Sequence, residues 1–93
     1  MRVIIEVPDY DPKVGMRLVW DNNHVIDVRT SASGVAIRAN KAGLITLARI
    51  LLTLAQDDYP VGGHVHLDDY GGLEPGSTEL LIEKIETATQ PKR

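Results

Sequence analysis

Apolar residues recur every second position over most of the first forty residues, and then the period lengthens to about 3.6. Over residues 2–7, Val3, Ile5 and Val7 share one side, and Met16, Leu18 and Trp20 do the same over 16–21. Alternation of this kind is what a half-buried strand shows, because successive side chains leave a strand on opposite faces. The segment between them, 8–15, holds two prolines that supply no ladder donor. Asn22-Asn23 is a hairpin turn by composition, since Asn tolerates positive φ. A return strand is expected over 24–30, a second turn at Ser31-Ala32-Ser33-Gly34, and a fourth strand over 35–39.

From Lys41 to Asp57 the pattern becomes helical. Leu44, Leu47, Ala48, Leu51, Leu54 and Ala55 form an apolar stripe, widened by Ile45, Ile50 and Leu52. Asn40 precedes it as an N-cap, although Gly43 weakens the first turn. Asp57-Asp58-Tyr59-Pro60 ends the helix, with two acids where the macrodipole favours bases. Two further strands close the chain. The stretch 63–68 sets Val65 and Leu67 against His64, His66 and Asp68, and 78–85 carries the run Leu80-Leu81-Ile82. The expected fold class is α+β, an antiparallel sheet in ββββ-α-ββ order with one helix covering one face.

Ninety-three residues without repeat or linker make one domain, 1–93, with a frayed tail expected over 87–93. Such a chain buries only roughly 60–65% of its unfolded surface, which leaves little room for an enclosed active site. The absence of cysteine excludes disulfides, thiolate chemistry and Cys-based zinc sites. No secretory signal pattern and no apolar run near the roughly 20 residues of a membrane span is present, so a cytoplasmic protein with no membrane association is expected.

A net charge of -3 hides an asymmetry: residues 1–55 hold five acids and seven bases, whereas 56–93 hold eight acids and three bases. The acidic half repels phosphate, which argues against a nucleic-acid ligand, and attracts a basic protein surface. The chemistry-bearing residues cluster in the same half. His64 and His66 lie roughly 7 Å apart on one face of a strand, and Asp68 lies about as far again. With no third histidine nearby and no HExxH spacing, no metal and no cofactor is expected. Ser31 and Ser33 lack a Gly-x-Ser-x-Gly elbow, and Gly71-Gly72 and Gly76 do not sit between a strand and a helix as a phosphate loop does. Glu79 and Glu83, about 13 Å apart along a strand, are too distant for paired-carboxylate glycoside chemistry. No catalytic residue is expected. Trp20 is assigned to the core, whereas Tyr59 and Tyr70, in loops bracketed by acids, are candidate contact residues.

The run 39–55 with its Asn-x-x-Gly-Leu start, then Gly63-His64-Val65-His66-Leu67-Asp68-Asp69, Leu73-Glu74-Pro75-Gly76-Ser77 and Glu79-Leu80-Leu81-Ile82-Glu83-Lys84, resembles the immunity protein 32 family of bacterial polymorphic toxin systems. The resemblance spans roughly residues 35 to 86. It implies an antitoxin that neutralises a cognate toxin by direct binding, without catalysis, and its motif positions are His64, His66, Asp68, Leu73, Glu74 and Ser77. Combined with the charge asymmetry, it selects Asp57, Asp58, Tyr59, His64, His66, Asp68, Asp69, Tyr70 and Glu74 as the partner-binding set, facing a basic toxin such as a nuclease. The rival reading is a structural or regulatory module that forms a homodimer through an open sheet face or edge.

Overall fold

The computed structural model describes residues 1–87 of the chain. Its elements are β1 (Ile26–Ser31), β2 (Gly34–Ala39), α1 (Lys41–Ala55), β3 (His64–Leu67) and β4 (Leu80–Glu83). They make two separate antiparallel hairpins, β1–β2 and β3–β4, on either side of the helix in sequence. The class is α+β, but the order is ββ-α-ββ rather than ββββ-α-ββ, and the described strands form no single sheet. The expected tail falls outside the described residues except for Thr87.

The two missing strands are those expected at 2–7 and 16–21. Each segment meets the helix near its end, and side chains of the helix and of its C-cap, Gln56, take backbone groups there and just beyond. Arg49 Nε donates to the Glu6 carbonyl at 3.0 Å, Gln56 Nε2 donates to the Pro8 carbonyl at 2.8 Å, and Gln56 Oε1 accepts from the Tyr10 amide at 3.1 Å. The Asp21 amide donates to Thr46 Oγ1 at 3.0 Å. The asparagine turn is real: Asn23 has φ 64 and the His24 amide donates to the Asp21 carbonyl. It simply joins no strand on its N-terminal side.

Asn40 caps the helix as its sequence suggests, accepting from the Gly43 amide at 2.8 Å, and its side chain also accepts from the Val25 amide and donates to the Asn23 carbonyl. One side chain thus fixes the helix start to the entry of β1. The buried face is not the leucine stripe. Gly43, Thr46, Ile50, Thr53 and Leu54 face inward, with Leu47 partly buried, while Leu44 and Leu51 are 55% and 51% exposed. Close approach decides this. A Cβ at Gly43 would collide with the Val25 carbonyl, so only a glycine lets the helix lie so near β1. The two buried threonines are satisfied, Thr46 Oγ1 donating to Asp21 Oδ2 at 2.8 Å and Thr53 Oγ1 to the Arg49 carbonyl at 2.7 Å.

The core is Ile26 and Val28 from β1, Ile50 and Leu54 from α1, Val65 and Leu67 from β3, and Tyr59 and Leu73 from loops. Tyr10, Met16 and Trp20 pack on it from the N-terminal segment. That segment therefore completes a core that two short hairpins and one helix leave open on a side. Trp20 stacks on His24 at 4.9 Å, and His24 bridges the Asp21 and Gly72 carbonyls at 3.0 and 2.9 Å. Gly72, with φ 103, lies under the Trp20 ring with no room for a side chain.

Candidate partner-binding surface

The candidate residues fall into three places set by the β3–β4 hairpin. At one end, Asp57 and Asp58 are exposed in the turn after α1. Their conflict with the helix dipole is offset by Lys84, whose ammonium donates to the Gln56 and Tyr59 carbonyls at 2.7 and 2.8 Å. Tyr59, expected as a surface contact, is instead a core residue at 6% exposure, with its ring 4.7 Å from that of Tyr10. A tyrosine between acids and a proline carries no signal for this in sequence. Only the long-range packing of Tyr10 reveals it.

Along the hairpin, alternation works as read. Val65 and Leu67 point into the core, and His64 and His66 point outward. Register sets His64 opposite Glu83 and His66 opposite Leu81. His66 Nδ1 donates to Glu79 Oε2 at 2.7 Å, and the two imidazoles meet edge to face at 5.3 Å. The outer face is thus an alternation of imidazole and carboxylate with exposed Leu81 between, and it contains both glutamates, which lie outside the set selected from sequence. Among the described residues no group of three metal-ligating side chains converges.

At the other end, the loop after β3 is built by its own carboxylates. The Asp68 carbonyl accepts from the Gly71 and Leu73 amides, Asp68 Oδ1 accepts from the Tyr70 amide at 3.1 Å, and Asp69 Oδ2 accepts from the Gly76 amide at 3.1 Å. Aspartates commonly order tight turns in this way. Tyr70 stands at the tip with 97% of its surface exposed. Beyond it, Glu74 turns away from the histidine face. Its amide donates to the Ile26 carbonyl, and the residue lines an open groove with Asp27, Arg29, Arg38 and Asn40.

Arg29 holds this loop in place. Its guanidinium pairs with Asp27 at 2.7 Å and donates to the Gly76 carbonyl at 2.7 Å and the Pro75 carbonyl at 3.3 Å. The hydrogen bond from Arg29 keeps the Asp27 carboxyl below the usual carboxylate range. A second pair lies on the helix. Arg49 Nη1 donates to Asp21 Oδ2 at 2.7 Å, and that bond, with the one from Thr46, lowers the Asp21 carboxyl likewise. The Asp21 pair has no signal in the sequence, because its partner is 28 residues away on another element. Asp27 and Arg29 stand two apart on one strand face, and that spacing was the available signal for their pairing.

No helix among the described residues is long and apolar enough to cross a membrane. No characterised protein and no solved structure matches the chain. Residues 34–85, from the first residue of β2 to just past β4, match immunity protein 32. More than half of the sequence lies within that match, and the chain belongs to the immunity protein 32 family.

Proposed function

We propose that this protein is an antitoxin that neutralises a cognate toxin by binding it directly, with no catalytic step of its own. Family membership carries the reading, since immunity families are typically non-catalytic and imply a toxin partner. The geometry supports a surface for that contact running from Asp57-Asp58 across His64 and His66 to Asp68, Asp69 and Tyr70, with Glu74 at its border. Tyr70 is the anchor: an amphipathic ring presented on a loop already fixed by Asp68 and Asp69 loses little conformational freedom when a partner covers it. The flanking acids suit a toxin with a basic surface, such as a nuclease that binds phosphate.

The test is association kinetics with a toxin this protein neutralises, identified by co-expression with candidate toxins. Tyr70→Ala is expected to raise the dissociation rate about tenfold or more, as loss of an aromatic anchor buried by the partner does. The acids act at longer range. Asp57→Asn with Asp58→Asn should slow association and flatten its salt dependence, because ions screen such charges over about 8–10 Å. Unchanged rates in both variants, with the complex intact, would move the interface off this surface.

A further inference from the structure

β2 leaves one backbone edge open. The Asn40 amide donates to the Val25 carbonyl, and the register continues that series by pairing Asp27, Arg29 and Ser31 with Arg38, Ala36 and Gly34. Antiparallel pairs alternate, so these are the hydrogen-bonded pairs, and Val35, Ile37 and Ala39 turn their N–H and C=O groups away from β1. None of those six groups has a hydrogen bond to any other described residue. The opposite edge is closed. The Ile26 carbonyl accepts from the Glu74 amide, the Val28 carbonyl accepts from the Thr78 amide, and the Val28 amide donates to Ser77 Oγ.

Proteins usually guard such an edge with charged side chains, proline, a bulge or an inward-pointing charge. Gly34-Val35-Ala36-Ile37-Arg38-Ala39 has no proline and no bulge, pairs without interruption, and carries Arg38 as its single charge. Val35 and Ile37 are 68% and 47% exposed on one side of the edge, and Arg38 on the other side has no carboxylate within salt-bridge distance among the described residues. Lys41, in the first turn of a helix that has no acid there, adds a second positive charge close by.

We propose that β2 receives an extended segment of the toxin as an added strand, with apolar side chains over Val35 and Ile37 and a carboxylate at Arg38. The proposal rests on the antitoxin reading and names a second contact for it, on the first hairpin, where Asp27 opposite Arg38 is already paired with Arg29. Backbone bonds supply the affinity in this mode and alternate side chains the specificity. A second copy fits the edge less well. Self-pairing about Ile37 sets Arg38 diagonally across from its equivalent, about 7–8 Å away, with no acid on β2 to balance the two charges.

The experiment is amide hydrogen exchange on the complex with a toxin this protein neutralises, identified by co-expression with candidate toxins, together with affinities of two variants. In the free protein, the Val35 and Ile37 amides exchange fast and those of Ala36 and Arg38 slowly; in the complex, the Val35 and Ile37 amides slow by about tenfold or more. Ile37→Pro removes only an outward N–H, which an edge position tolerates, and is expected to weaken binding about tenfold or more while the melting curve stays cooperative. Arg38→Ala keeps the backbone and should reduce both affinity and its salt dependence. A complex that forms but leaves Val35 and Ile37 exchanging as in the free chain overturns the added strand and leaves the antitoxin reading standing. Absence of any complex overturns both.

Discussion

β1 and β2 pair over six positions, yet Val28 is 1% exposed while Ile37, directly opposite, is 47% exposed. In the other hairpin the four-residue β3 buries both its apolar side chains, Val65 at 6% and Leu67 at 0%. Strand pairing alone therefore does not bury a strand. What separates the two is a further layer: β3 shares the core with Ile50, Leu54 and Leu73, β1 is flanked by the 74–78 segment, and β2 has solvent at its edge. The well-covered strand carries the histidine face outward, whereas the bare strand leaves Val35 and Ile37 exposed beside its open edge.

Truncating matched apolar residues tests that difference most strongly. Leu67→Ala and Ile50→Ala are expected to cost about 2–5 kcal/mol each in urea or thermal unfolding. Ile37→Ala and Leu51→Ala should each cost under about 1 kcal/mol, since their side chains are half in water already. Equal losses from Ile37 and Leu67 would mean that β2 is covered in solution.

Close approach gives the next largest effect. Gly72→Ala forces a side chain into a positive-φ position beneath Trp20, at a cost of about 1–3 kcal/mol. The same change at Gly34, where nothing lies within 4 Å, carries only the backbone strain. Melts in which Gly34→Ala loses as much as Gly72→Ala would show that the Trp20 contact is slack. Arg29→Ala should release the 74–78 segment from β1, with a loss of about 1 kcal/mol and faster amide exchange at Glu74 and Thr78.

The smallest effect is a dependence on acid. Asp21 and Asp27 have carboxyls lowered in the folded state, so each contributes stability that is present above the ordinary aspartate value of 3.8 and is lost as pH falls through the lower folded value. Unfolding curves at pH 7 and at about pH 3 should differ less for Asp21→Asn than for the parent chain. An unchanged pH dependence in that variant would show that Arg49 and Thr46 do not hold the carboxylate in solution.

Features that depend on near neighbours can be read directly from the chain. The period of two in Ile26–Ser31, Gly34–Ala39 and His64–Leu67 is among them, as are the period of 3.6 after Asn40, the cap at Asn40, and the outward placement of His64 and His66. So is the family, because its motifs are contiguous runs in α1, around β3, in the 73–77 loop and around β4. Long-range packing settles the rest. Alternation over 2–7 and 16–21 shows that a segment can be extended, not that it has a strand beside it, and here Glu6 and Asp21 bond to Arg49 and Thr46 of the helix instead. The helix is apolar nearly all round, so its hydrophobic pattern could not choose a face. The choice fell to Gly43 and Thr46, which fit against neighbouring backbone where a leucine cannot. Tyr59 entered the core and Tyr70 stayed out because one has Tyr10 to pack on and the other sits at the tip of a loop that Asp68 and Asp69 hold in place. Local pattern sets what a residue can do within its own element; the space left by residues far along the chain sets whether it does so in water or in the core.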